Sequence, residues 1–327
     1  MAERRISEWR VHIGAHKAAS THLANSLRAR SEDLAAQGVN YIPNRHVIRP
    51  AFARPPLPGH WRRRALGLLP AVRPVLMGSR AGQIRRAVQD SMVVPGAVVF
   101  SEENLLGGLG AALQRHLYAD LSRLELLDAT AKGAPVHLFL AIRSFDGYLP
   151  SVYAQMLKLA PVRRADLDRA RAHWLAEPPS WYGLVLRLRR LLPRARLTVW
   201  DYADYRRNQA AILQAVTGVA LAPAPALPPN TSTRTPGAAS IAAAEALDLA
   251  DEEARSRRVR EIFAAEHALT APPPRFDPLP DAEKAIFRDA FAADLARIDR
   301  DFPDMRLRFA DGRSGPAGGV DPEGGLA

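Results

Sequence analysis

Trp9-Arg10-Val11-His12-Ile13-Gly14-Ala15-His16-Lys17-Ala18-Ala19-Ser20-Thr21-His22-Leu23 is the stretch on which the fold turns. Residues 9–13 alternate and include β-branched side chains, which predicts a strand, and Gly14 closes it. Over residues 20–36, Leu23, Leu27 and Leu34 recur at helical spacing, which predicts a helix. Between strand and helix lies a short turn of small residues carrying Lys17. The free N–H groups of a first helical turn, the helix dipole and a lysine ammonium together suit phosphate or sulfate. Spacing alone equally allows Ser20 to be a plain helix cap and Lys17 a solvated turn residue.

The same alternation continues outward from this unit. Short apolar runs at 39–42, 97–101, 136–142 and 196–200 predict further strands, the first closed by Pro43. Helices are predicted over 82–90, 111–127, from about 146 onward, and over 164–176, 181–192 and 205–216. Repeated strand-helix-strand units imply an α/β fold of three layers, a mainly parallel sheet covered by helices on both faces. Residues 1–310 read as a single domain. Two departures interrupt it: an Arg/Pro-rich insertion at about 44–80, with a short helix near Trp61, and a helical cap at 237–302 built from helices over 238–265 and 281–302. Residues 311–327, rich in Gly and Pro, are expected to be a disordered tail.

Composition narrows the function classes. With 47% hydrophobic and 24% charged residues, the chain matches globular proteins rather than disordered or fibrous ones. It has no cysteine, so disulfides, thiolate metal sites and cysteine nucleophiles are excluded, and a reducing cytoplasm is the expected location. No apolar stretch approaches the roughly 20 residues of a membrane span, although peripheral contact with a membrane stays open. The net charge of +11 suggests an anionic partner, yet only four of the 45 basic residues are lysines, so much of the charge reflects a general arginine bias. It is concentrated between Asn44 and Asp90, where ten arginines face one acid. Against that bias Lys17 is unusual. A compact ammonium on a flexible stem follows a moving oxygen better than a planar guanidinium does.

The loop lacks the features of a Walker A motif, which needs glycine before its lysine and a hydroxyl directly after. Here His16 precedes Lys17 and Ala18 follows. It resembles instead the 5′-phosphosulfate loop of the sulfotransferases, above all the bacterial carbohydrate branch, with strand end His-x-Gly-x-His-Lys continuing Thr-Gly-Thr/Ser-Thr-x-Leu. His12, Gly14, His16, Lys17, Ser20, Thr21 and Leu23 match that pattern, while Ala18 and Ala19 replace the usual Thr and Gly. Arg143 and Ser151, at the end of the 136–142 strand and on the following helix, resemble the 3′-phosphate site of the same family. Ser101-Glu102-Glu103-Asn104 resembles its Ser-x-Glu-Asn-Leu segment. Weaker matches lie at 230–232 and 287–302.

The resemblance implies a P-loop-NTPase-like sulfotransferase fold and transfer of a sulfuryl group from 3′-phosphoadenosine 5′-phosphosulfate (PAPS) to an acceptor hydroxyl. It implies that Lys17, Ala18, Ala19, Ser20 and Thr21 bind the 5′-phosphosulfate, and Arg143 and Ser151 the 3′-phosphate. Glu103, or failing it Glu102, is the implied base, with His16 near the donor. No metal is called for, and His12 and His16 lack a third ligand at a recognisable spacing. The implied acceptor is a carbohydrate or glycolipid, an anionic one among the options, and not a nucleic acid. Two alternatives stay open: a nucleotide kinase on the same architecture, and a non-catalytic basic binding protein.

Overall fold

Each of the five apolar runs forms a strand. These are β1 (Ile6–Gly14), β2 (Val39–Tyr41), β3 (Gly96–Ser101), β4 (Val136–Ile142) and β5 (Arg196–Asp201). All pair in parallel, in the order β2-β3-β1-β4-β5. The computed structural model describes residues 5–53, 72–113, 117–221, 234–248 and 251–309. A parallel sheet is buried on both faces, which is why its strands read as continuous apolar runs. All seven residues of β4 are buried, as are the last four of β3.

Twelve helices surround the sheet among the described residues: α1 (Ser20–Ala29), α2 (Ser31–Ala36), α3 (Arg49–Ala53), α4 (Val72–Ser91), α5 (Ser122–Ala131), α6 (Phe145–Leu157), α7 (Arg164–Ala176), α8 (Trp181–Leu191), α9 (Gln209–Thr217), α10 (Ala238–Glu245), α11 (Glu252–His267) and α12 (Asp281–Asp301). Right-handed crossovers, the near-universal hand for parallel units, put α1 and α2 on one face and α4 to α8 on the other. The contacts agree: α1 packs on β3 and α9, and α9 on β1, whereas α4 packs on α5 and α12 on α6, α7 and α8. The architecture is α/β and consistent with three layers.

Where helix boundaries differ from the sequence expectation, a local device explains the difference. The helix predicted over 20–36 is broken at Arg30, whose φ of −116° leaves the helical region and gives α1 and α2. α4 takes in residues 72–81 ahead of the expected 82–90. The 111–127 helix is a 3-10 turn (Leu109–Leu113) followed by α5, because Tyr118 adopts a left-handed φ of 53° and Asp120 accepts from the Ser122 N–H at 2.9 Å. Asp201 accepts from the Ala203 N–H, setting a 3-10 turn (Tyr202–Asp204) ahead of α9. The 238–265 helix is divided into α10 and α11, the second started by Asp251, which accepts from Glu253 and Ala254. The short helix expected near Trp61, the 230–232 match and the 311–327 tail lie outside the described residues.

Three packing features tie the outer elements together. Phe145, Tyr148, Trp174, Trp181 and Phe287 form an aromatic cluster joining α6, α7, α8 and α12, with Phe145 stacked on Trp181 at 5.4 Å. All five are fully buried, each contributing roughly 1.5–3 kcal/mol. The α10–α11 unit docks on α6 by polar contacts: Glu245 accepts from Tyr153 and twice from Arg164, and Arg255 donates to the Leu157 and Ala160 carbonyls at the α6 terminus. The Leu157 carbonyl belongs to the last turn of α6, where carbonyls have no partner within the helix, and the arginine satisfies it; the Ala160 carbonyl, just past the helix, also accepts from the Val162 N–H. Past α12 the chain bonds to the outer edge of β5 through Met305 and Leu307, closing an edge that would otherwise be exposed.

Candidate anion-binding site

β1 is the central strand. The chain runs from it to β2 and β3 on one side and then crosses to β4 and β5 on the other, so the order reverses about β1. Open parallel sheets bind ligands at the carboxyl edge of such a switch point. The loop after β1 therefore occupies the position the topology favours.

The loop is tied down from several directions. Ala15 donates its N–H to the Ala141 carbonyl of β4 (2.7 Å). The His16 N–H donates to the Tyr118 hydroxyl (3.1 Å), which also lies 3.0 Å from His16 Nδ1 and 2.7 Å from the Tyr148 hydroxyl. Burial lowers the His16 pKa, with the charge of Glu103 opposing, so the ring is held neutral. Its buried Nε2, beside the Asn104 side chain, completes no hydrogen bond. His12 is fully buried against Trp200 and 2.7 Å from Ser101 Oγ, and burial pushes its pKa down to about 3. It packs the strand end.

Lys17 and Ala19 both adopt left-handed backbone conformations, φ 59° and 64°. Ala19 is the N-cap residue of α1 and supplies no side-chain cap, and the first turn carries no acid. The leading N–H groups of α1 thus keep their capacity to bind an anion. Lys17 retains some accessible surface. Its enclosure by protein, reinforced by the positive charges of Lys158 and Arg143, still brings its ammonium down to about 7, against the opposite pull of Glu103.

Arg143 reaches the loop from the end of β4. Its Nη1 donates to the Lys17 carbonyl (3.0 Å), its guanidinium lies 4.7 Å over the Tyr202 ring, and its own carbonyl accepts from Trp181 Nε1 (2.8 Å). Gly147 makes room for it, since a Cβ there would stand 2.9 Å from Arg143 Nη2. Ser151 is buried on α6 four residues after Gly147, on the helix face that Gly147 presents to the arginine. Thr21 is half-buried beside Ser20 in the first turn of α1, and Ala18 is buried. At the neighbouring end of β5, burial and the charge of Asp204 raise the Asp201 pKa to about 6.

The two acids after β3 have different fates. Glu102 is buried, extends the ladder by donating its N–H to the His12 carbonyl, and is held by paired bonds from Arg49 (3.1 and 3.3 Å) and by the Asn104 N–H and side-chain amide. Glu103 turns to the loop. Its carboxylate accepts from Ser20 Oγ, and its Cβ lies where a side chain at Gly14 would meet it, at 3.2 Å.

Lys17, Ala18, Ala19, Ser20, Thr21, His16, Glu103 and Arg143 thus belong to one neighbourhood. Sequence reading missed Tyr118, Arg49, Lys158, Tyr202 and Gly147. Only the last carried a local signal, a glycine inside a helical stretch. A cavity of about 470 Å³ lies between Leu117, Ala119 and the start of α8, and none of residues 14–21 lines it. Chemistry at the switch point, not the size of a hollow, locates the site. Among the described residues no cluster of His, Asp or Glu side chains is placed to hold a metal ion, and no helix is long and apolar enough to cross a membrane. Comparison with family models, curated proteins and solved structures finds no match for the chain.

Proposed function

We propose that the chain is a sulfotransferase of P-loop-like architecture that moves a sulfuryl group from PAPS to a hydroxyl of a carbohydrate or glycolipid acceptor. One observation carries this reading. Arg143, directly after β4, donates to the carbonyl of Lys17 in the loop after β1, so the cations assigned to the two ends of a doubly phosphorylated nucleotide share one site. The residues suit such a polyanion: uncapped N–H groups at α1, an unsatisfied His16 Nε2, and a Lys17 that feels the charges of both Arg143 and Lys158. The methyl groups of Ala18 and Ala19 weaken the fit without closing the loop.

The donor supplies an activated sulfuryl group, and everything else falls to the protein. Lys17, the backbone of residues 18–21 and the hydroxyls of Ser20 and Thr21 hold the sulfuryl end. Arg143 and Ser151 hold the 3′-phosphate, the arginine through charge-assisted bonds. Lys17 neutralises charge as it develops on the bridging oxygen, where a preorganised cation lowers the barrier most. Glu103 takes the proton of the acceptor hydroxyl as its oxygen bonds to sulfur in line and the bond from sulfur to the bridging oxygen breaks, releasing adenosine 3′,5′-bisphosphate. Glu102, committed to Arg49 and Asn104, fixes the turn that presents it. His16, neutral and held by Tyr118, positions the loop. The kinase alternative lacks the metal-holding hydroxyl after its lysine, where Ala18 stands.

Titrating adenosine 3′,5′-bisphosphate and adenosine 5′-monophosphate into the wild type and Ser151→Ala tests the assignment. The variant leaves the Arg143 contact with the loop in place. Bisphosphate affinity is expected to fall about tenfold with the monophosphate nearly unchanged. Equal effects on both ligands, or none, contradict the 3′-phosphate role.

A further inference from the structure

A serine hydroxyl has one proton to donate. Ser20 gives its proton to Glu103, so it cannot at the same time give it to an oxyanion in the loop. Glu103 is itself an oxyanion, and its charge acts on Lys17 and His16 much as a ligand's would, raising the proton affinity of both. Its backbone is fixed, since Gly14 packs against its Cβ and its neighbours Glu102 and Asn104 are clamped by Arg49 and Arg123. Its side chain remains half-buried at the start of a 3-10 turn (Glu103–Leu106), with solvent on one side to move into.

We propose that Glu103 is a built-in competitor of the donor: its carboxylate engages the Ser20 hydroxyl until an incoming oxyanion displaces it, and only then is it released toward the acceptor. The inference rests on the donor-loop reading above and adds an order to it, donor first and acceptor second. Without the donor, the base is occupied by its own loop. With the donor bound, Ser20 turns to the oxyanion, and repulsion between like charges holds Glu103 away.

Inorganic sulfate is the suitable probe, because it does not titrate near neutrality and needs no nucleotide contacts. Its affinity is measured by calorimetry for the wild type, Glu103→Gln, Ser20→Ala and the double variant, with thermal melts confirming that each is folded. Glu103→Gln should bind sulfate about tenfold more tightly, since a neutral amide holds the Ser20 hydroxyl more weakly than a carboxylate does. In the Ser20→Ala background the same change should gain less than about threefold, because the shared proton is absent. An unchanged or weaker affinity in Glu103→Gln overturns the proposal, as does the full gain persisting without Ser20, which would reduce the effect to distant charge. Failure of all four proteins to bind sulfate overturns it too. Tighter sulfate binding in Glu103→Gln, combined with a preference for ATP over adenosine 3′,5′-bisphosphate, keeps the competition and rejects PAPS as the donor.

Discussion

Ala19 holds a conformation that alanine dislikes. At φ 64° its Cβ crowds the following carbonyl, a cost on the order of 1 kcal/mol that glycine avoids. Glycine loses about 0.4–1 kcal/mol more entropy on folding, so the net gain from Ala19→Gly is about 0.5 kcal/mol at most, visible as a slightly higher urea midpoint. A stability that falls instead would mean that the loop does not hold this conformation in solution. Lys17 gives a second test at the same scale. Its ammonium titrates near 7 in the free protein, far below an ordinary lysine. Below that pH it is cationic, above it neutral, and a bound anion pulls the proton back. Sulfate affinity should therefore fall as pH rises through 7, by up to about tenfold per unit. Lys17→Arg, charged throughout, should flatten the profile, and a wild-type affinity independent of pH between 6 and 9 would contradict the account.

At the scale of elements, the turn after β3 shows where sequence reading stops. Spacing brought both Glu102 and Glu103 into view and favoured the second only by motif register. What separates them is Arg49, more than fifty positions away, which binds Glu102 through a contact that no local pattern announces. Tyr118 is hidden in the same way: it falls within the helix expected over 111–127, yet its backbone is left-handed and its hydroxyl holds His16. Arg49→Met leaves a buried carboxylate without its cation and should cost about 2 kcal/mol in chemical denaturation. Adding Glu102→Gln to it should recover part of that loss, because the two changes remove one interaction. Purely additive losses would show that the pair does not act as a clamp.

Across the whole molecule, the strands were legible because burial on both faces makes each a continuous apolar run, and the five runs found in the sequence are the five strands of the sheet. Their order was not, since the runs are alike in composition and only the crossovers distinguish them. That order matters most for function. It makes β1 central, and so puts an anomalous lysine at the switch point and brings Arg143 from the adjacent strand to the same loop. The net charge of +11 says less, because arginine is spread through the chain. The account stands on a site for two anionic groups at the end of β1. Calorimetric titration of the wild type with adenosine 3′,5′-bisphosphate, and with ATP, each with and without magnesium, tests this most directly. Saturable bisphosphate binding that is indifferent to magnesium and stronger than that of ATP is the result predicted. Absence of bisphosphate binding, or a preference for ATP with magnesium, would contradict it.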